Sequence, residues 1–289
     1  MSKNEKINEI AEKIDAIREG RHTYFKNKRG MIPSREDTVN ILREMQSVMF
    51  PDYFIIDRLH GKSTAERLDT LLVSLKRQLT AAYSFSGESA VVDTESLACD
   101  LVSELPSIKE MLIKDVQAIY EGDPAARSPE EVIISYPGFL AISIYRIAHE
   151  FYKRGVPYIP RIMTEYAHEK TGVDIHAGAT VGEYFFIDHG TGIVIGETTT
   201  IGDRVKIYQG VTLGAKSFEL GEDGNPVKGI KRHPNIGNDC VIYAGATILG
   251  GSTYVGDGSV IGGNVWLTRS VPAGSTVIYD GATFIKNKS

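Results

Sequence analysis

Cysteine is scarce in this chain. Cys99 and Cys240 are too few for a disulfide framework or a cysteine zinc site. An excess of positive charge is also missing. Thirty-two Lys and Arg against 37 Asp and Glu give a formal net charge of −5, which excludes a general affinity for nucleic acid or an anionic membrane surface. No apolar run approaches the roughly 18–20 residues that span a bilayer. The opening stretch, MSKNEKINEIAEKIDAIREG, is charged and has no apolar core of the signal-peptide kind. These absences point to a reducing cytoplasm. What remains is 289 residues, 42% of them hydrophobic, enough to bury one large core or two ordinary ones.

Glycine marks a change of architecture. Residues 1–171 hold seven of the 29 glycines, and residues 172–274 hold 21. The first part, 1–171, reads as an α-helical domain. Ile7, Ile10, Ala11, Ile14 and Ile17 follow the three-to-four spacing of one helix face. Ile41, Leu42, Met45 and Val48/Met49 repeat it before Pro51. A third stretch runs from about Ser63 to Tyr83, and a fourth covers Glu88 to Tyr120, interrupted at Pro106. Ser128-Pro-Glu-Glu is an N-cap followed by Pro at the first helical position. It opens a helix expected to reach Lys153, with a bend at Pro137-Gly138. A last helix is expected over Pro160 to Lys170.

The second part, 172–289, is periodic in sixes. Ile175, Val181 and Ile187 form one aliphatic series. Ile195, Ile201, Ile207 and Leu213 form a second after a two-residue slip. Ile236, Ile242 and Ile248 form a third, and Leu249, Val255, Ile261 and Leu267 a fourth after a one-residue slip. A period of six suits a flat strand and a sharp turn on each side of a prism. The aliphatic residue points inward and small residues make the corners. Three hexads make a coil of about 18 residues. Residues 215–235, AKSFELGEDGNPVKGIKRHPN, break the period and are expected to leave the coil as a loop.

Specific motifs lie on this frame: Asp174-Ile-His-Ala-Gly-Ala-Thr-Val-Gly, Ile187-Asp-His-Gly-Thr-Gly-Ile-Val-Ile-Gly-Glu-Thr, Ile207-Tyr-Gln-Gly-Val-Thr-Leu-Gly and Lys231-Arg-His-Pro. Together with Asp123-Pro-Ala and Tyr136-Pro-Gly-Phe…Tyr145-Arg-Ile-Ala-His, they make residues ~110–272 resemble the serine O-acetyltransferases, hexapeptide-repeat acyltransferases, in the form with a long helical N-terminus. The fold this implies is α + β: an N-terminal α-helical domain followed by a left-handed parallel β-helix with one extruded loop. The left hand rests on the resemblance, because ordinary crossovers between parallel strands are right-handed.

The resemblance also implies a chemistry. Transfer of an acyl group from a thioester to a hydroxyl needs a base, and imidazole suits it near neutral pH. The matching positions make His189 the base and Asp174 its carboxylate partner. They are 15 residues apart, a little less than one coil, so stacking can bring them near. Asp188 and Asp123 match residues that hold the amino-acid ammonium. Asp188 neighbours His189, and in an extended segment the two side chains diverge. Arg232 matches the residue that grips the substrate carboxylate, and His233 adds a donor or acceptor beside it. Glu197 is the partner expected to position Arg232. His176 and His149 read as structural. Gly214, Ala215, Ala244 and Gly263 match positions where the pantetheine arm of acetyl-CoA, a co-substrate rather than a bound cofactor, approaches the backbone.

The implied reaction is acetyl transfer from acetyl-CoA to L-serine, the first step towards cysteine, with L-cysteine a feedback inhibitor at the same pocket. No metal and no permanent cofactor is expected. A homotrimer, or a hexamer of two trimers, is implied. The chain departs from the family pattern in three places. The loop before Arg232 is roughly nine residues longer. Val277-Ile-Tyr-Asp-Gly-Ala-Thr replaces the usual Gly-x-Pro-Ala-Arg segment. The chain stops at Lys286-Asn-Lys-Ser289 without the terminal isoleucine that docks cysteine synthase, so no stable synthase complex is expected. Competing readings are transfer to another acceptor such as homoserine or a sugar, a zinc enzyme using His176, His189 and His233, and a β-helix assembly scaffold.

Overall fold

A computed structural model describes residues 2–20, 31–87, 92–217 and 219–281. The expected start of a helix at Glu88 and the C-terminal Lys286–Ser289 lie outside those residues. Eight described α-helices come first: α1 (Lys3–Gly20), α2 (Arg35–Met49), α3 (Thr64–Ser86), α4 (Thr94–Ser103), α5 (Leu105–Gly122), α6 (Pro129–Ser135), α7 (Pro137–Lys153) and α8 (Ile159–Thr171).

Local chemistry sets their ends. Ser63 and Glu66 close a capping box on α3, and Gly87 ends it with φ 89°. Ser128 caps α6 by accepting from the Glu131 N–H. The helix expected to run to Lys153 is two helices, bent by 75° at Tyr136. Tyr136 is extended because Pro137 follows it. The break expected at Pro106 falls instead at Glu104, and Pro106 sits in the first turn of α5, where its missing N–H costs nothing. The apolar stripe of α1 does not enter a core: Ile7, Ile10, Ile14 and Ile17 are all exposed. Among the described residues no single helix is long and apolar enough to cross a membrane.

Among the described residues, fourteen short strands follow on three faces of a left-handed parallel β-helix. The first face stacks β1 (Asp174–Ile175), β4 (Val194–Ile195), β7 (Thr212–Gly214), β10 (Thr247–Leu249) and β13 (Trp266–Leu267). The second stacks β2 (Thr180–Val181), β5 (Thr200–Ile201), β8 (Asn235–Ile236) and β11 (Tyr254–Val255). The third stacks β3 (Phe186–Asp188), β6 (Lys206–Tyr208), β9 (Val241–Ile242), β12 (Val260–Ile261) and β14 (Thr276–Val277). Thirteen of the fourteen expected aliphatic positions are buried inside the prism. Leu249 is the exception: it is half-buried and pairs with Gly214, because the one-residue slip turns it outward.

The corner from third to first face is a column of left-handed residues. Gly192, Gly210, Gly245 and Asn264 have φ between 58° and 81°. Each donates its N–H to the turn below: to Gly172, Thr191, Gln209 and Ala244 respectively, at 2.8–3.0 Å. Glycine suits this column because φ is positive and the backbones nearly touch. The helices seat on the first turn of the coil. A Cβ at Gly122 would lie 2.7 Å from the Phe186 ring, and one at Gly138 2.6 Å from the Ile187 carbonyl. A buried pair bolts the joint. Arg146 bonds both oxygens of Asp115 at 2.6 and 2.8 Å and donates to the carbonyls of Val181 and Gly182.

Candidate active site

The first turn of the coil is longer than the second. Asp174 pairs with Val194, twenty residues on, whereas Val194 pairs with Thr212, eighteen on. The two extra residues widen the corner between β3 and β4, where Asp188 and His189 sit. His189 takes φ 57° and Gly190 φ 87°. The left-handed turn replaces the extended segment on which divergence of the two side chains depended. His189 Nε2 lies 3.7 Å from Asp188 Oδ1, and the His189 side chain is 73% exposed.

This corner rests on the segment that leads into Asp174. A Cβ at Gly190 would touch Val173 at 2.8 Å, and Gly192 bonds to Gly172. Asp174 is half-buried at the start of β1. Among the described residues' hydrogen bonds and ion pairs, none joins Asp174 to His189.

Asp123 reaches the same corner from the end of α5. Its Oδ2 accepts from the Tyr136 hydroxyl at 2.7 Å and its Oδ1 from the Ala125 N–H at 2.8 Å. These two bonds, with the charges of Lys206 and His189 behind them, hold its carboxyl below the usual range. Burial and the same carboxylate push the Tyr136 phenol up to about 12. Lys206 completes the cluster, with Nζ 3.8 Å from Asp188 Oδ2 and 2.9 Å from the Gly122 carbonyl. The sequence reading missed Lys206 and gave Tyr136 no role. The one signal for Lys206 was its outward place on the strand stacked on Phe186-Ile187-Asp188.

The other expected residues lie at the far end of the first face. Glu197 follows β4, and Arg232 and His233 end the extruded loop just before β8. Arg232 Nη2 is 2.5 Å from Glu197 Oε2, and the Tyr152 hydroxyl donates to Glu197 Oε1 at 2.9 Å. Burial pushes the Glu197 carboxyl up, but these two bonds outweigh it and hold it low. His233 is buried, 7% exposed, with its ring flat against Gly196. Its Nδ1 accepts from the Thr198 N–H at 3.1 Å, which puts the ring proton on Nε2. Burial, then the Arg232 charge, lowers its pKa to about 4. Gly221, Asp223 and residues 225–228 of the loop border a cavity of about 700 Å³ that also takes in Glu197 and Arg232.

His176 accepts from the Gly178 N–H at 3.0 Å, and His149 Nδ1 lies 2.7 Å from the Ala177 carbonyl. Both contacts are internal to the scaffold. Ala244 and Gly263 meet on the corner column above His189, where a Cβ at Gly263 would be 3.2 Å from the Ala244 carbonyl. Gly214 and Ala215 lie at the other end of the first face, where the loop departs. Among the described residues no three His, Cys, Asp or Glu side chains gather as a metal site.

One chain therefore carries two separate candidate half-sites: Asp123, Asp188 and His189 at one corner, Glu197, Arg232 and His233 at the next. Among the described residues no hydrogen bond or ion pair links them.

Comparison with known proteins gives one family throughout. Residues 62–143 match the model described as "Serine acetyltransferase, N-terminal". The chain is 49% identical over 260 residues to a plasmid serine acetyltransferase of Synechococcus elongatus, covering 85% of this chain and 81% of that protein. Serine acetyltransferase 1 of Entamoeba histolytica in complex with L-cysteine superposes with a TM-score of 0.74 at 37% identity, covering 94% of this chain and 97% of that one. The Neisseria gonorrhoeae serine acetyltransferase in complex with serine gives 0.57 at 27% identity, covering 85% and 96%. With this fold and these motifs, the chain belongs to the serine acetyltransferase family.

Proposed function

We propose that this protein transfers the acetyl group of acetyl-CoA to the hydroxyl of L-serine, giving O-acetyl-L-serine and CoA, with His189 as the base. The observation that carries this reading is the exposed His189 imidazole set against Asp188 at the corner that Asp123 also reaches. Asp123 and Asp188 supply negative charge for the serine ammonium. Arg232, held by Glu197, supplies the planar fork for its carboxylate. His189 takes the hydroxyl proton as the serine oxygen attacks the thioester carbonyl. The tetrahedral intermediate then expels CoA thiolate, and the imidazolium returns the proton to sulfur. Asp174, on the segment below, steadies the imidazolium. No acyl-enzyme forms, and no permanent cofactor or metal enters the step.

Both amino-acid ends of L-cysteine fit the same groups, so it competes with serine. Residues 1–171 act as a helical domain for assembly and for Asp123; residues 172–289 act as the acyltransfer domain. The two half-sites support a site shared between copies: Asp123, Asp188 and His189 of one chain facing Glu197 and Arg232 of a neighbour, as in a homotrimer. The pantetheine arm runs along the small residues of the corner column, with Ala244 and Gly263 on the His189 side, and Gly214 and Ala215 on the loop side. Thiol release from acetyl-CoA with L-serine, run beside His189→Ala, tests the reading. Serine-dependent release that collapses in the variant supports it; release only with another acceptor, such as homoserine or a sugar, overturns the substrate.

A further inference from the structure

Lys206 stands on β6 in register with Phe186. Its ammonium donates to the Gly122 carbonyl, in the last turn of α5, at 2.9 Å and lies 3.8 Å from Asp188 Oδ2. The rings of Phe186 and Tyr208 flank it, with centroids 4.2 and 4.9 Å from Nζ. A helix C-terminus, a carboxylate and two ring faces all favour a cation there. Only 21% of the side chain is exposed, so solvent screens it incompletely.

Its neighbours are the groups around the proposed base. Asp188 shares the His189 corner. Asp123 comes from the end of α5 and Tyr136 stands behind Asp123, while Asp174 starts β1 on the neighbouring face and, among the described residues, makes no hydrogen bond or ion pair with Lys206 or His189. Carboxylates beside an imidazole favour its protonated form, and an imidazolium cannot take a proton from a hydroxyl. A cation beside the same carboxylates opposes them.

We propose that Lys206 is a positioning residue for the transfer: it fixes Asp188 against the end of α5 and sets a positive charge against the Asp123 and Asp188 carboxylates, offsetting the negative field that the His189 imidazole meets. This rests on the reading of His189 as the base. Its charge does the electrostatic part, and its bond to Gly122 does the tethering.

The test is the pH profile of kcat/KM for serine in the full-length protein and in Lys206→Met, Lys206→Gln and Lys206→Arg. Loss of the charge is expected to move the acid limb up by about 0.5–1 pH unit, roughly a three- to tenfold loss of activity on that limb. The loss shrinks to about twofold at alkaline pH. Lys206→Gln, which keeps a donor without the charge, moves the limb as far as Met, and Lys206→Arg restores it. KM for acetyl-CoA stays within about twofold. Met and Gln profiles that superpose on the wild type overturn the proposal. So does a uniform loss at every pH without rescue by Arg, which marks a scaffold role alone. His189→Ala separates the two readings. If that variant keeps serine-dependent thiol release, the base assignment fails; if it is inert while the Lys206 profiles do not move, the Lys206 inference alone fails.

Discussion

Glu197 holds Arg232 at 2.5 Å, and its second oxygen is taken by the Tyr152 hydroxyl from α7. The guanidinium is therefore aimed by a carboxylate that is itself aimed by the helical part of the chain. The expected carboxylate–guanidinium pairing is present, and Tyr152 is the addition the sequence did not offer. Gly178 makes room for it: a Cβ there would lie 2.9 Å from the Tyr152 hydroxyl and 3.0 Å from Glu197.

We predict that Glu197→Gln raises KM for serine about tenfold, the equivalent of ~1.4 kcal/mol, while KM for acetyl-CoA barely changes. Arg232→Lys is expected to cost at least as much, because a point charge does not reproduce the planar fork. Steady-state kinetics with each substrate varied in turn checks both. Equal rises in the two KM values would remove Arg232 from the serine side of the reaction.

His233 gives a stability prediction with a definite sign. Its folded pKa is lowered to about 4, beneath the ~6.5 of an unfolded histidine. Between those values the unfolded chain binds the proton and the folded chain does not. The contribution is therefore whole above pH ~6.5 and is lost as pH falls towards 4, up to about 3 kcal/mol. Burial also lowers the pKa values of His149 and His176, with the same sign. Urea unfolding from pH 7 to 4 is expected to show a decline that flattens in His233→Gln. Gly196→Ala should act on the same ring, because a Cβ there would lie 2.2 Å from Nε2. A wild-type decline unchanged in His233→Gln would assign the pH dependence elsewhere.

The joint between helices and coil hangs on Asp115 and Arg146. Both are buried, and Asp115 also accepts from the Phe185 N–H at 2.9 Å. Removing the cation leaves a carboxylate with no counter-charge in the interior. Arg146→Met is expected to cost about 3–5 kcal/mol, read as a lower urea midpoint. The double variant Arg146→Met/Asp115→Leu is expected to recover part of the loss, since an apolar pair strands no charge. A double variant less stable than the single one would refute this account.

The hexad count reads the coil well because each inward residue is set by its own turn. Ile175 to Leu213 and Ile236 to Leu267 need no distant partner to be recognised. The two-residue slip between Ile187 and Ile195 was visible too, and it marks the widened corner that carries His189. Contacts made across the joint were not visible. Asp123 meets the His189 corner because Gly122 lets α5 lie against Phe186. Lys206 looked like any outward lysine on a strand. The pairing of Asp188 with His189 depended on a left-handed φ that no spacing reveals. Nor did the isoleucines of α1 announce that their face stays exposed.

The separation of the half-sites leads to the sharpest prediction. Asp188 and His189 precede β4, and Glu197 follows it, so the first face lies between them in every copy. If the working site forms between copies, His189→Ala and Arg232→Ala chains damage different halves. Each variant alone is expected to be nearly inactive. Co-expressed with different tags and purified through both, the mixed oligomer contains interfaces where an intact His189 meets an intact Arg232. A mixed trimer holds two copies of one variant and one of the other, so one interface in three is whole and about a third of wild-type activity returns. If each site lay within one chain, every chain would lack one essential group and mixing would restore nothing. A mixed oligomer, shown by mass to hold both variants, that stays inactive would place the whole site in a single copy.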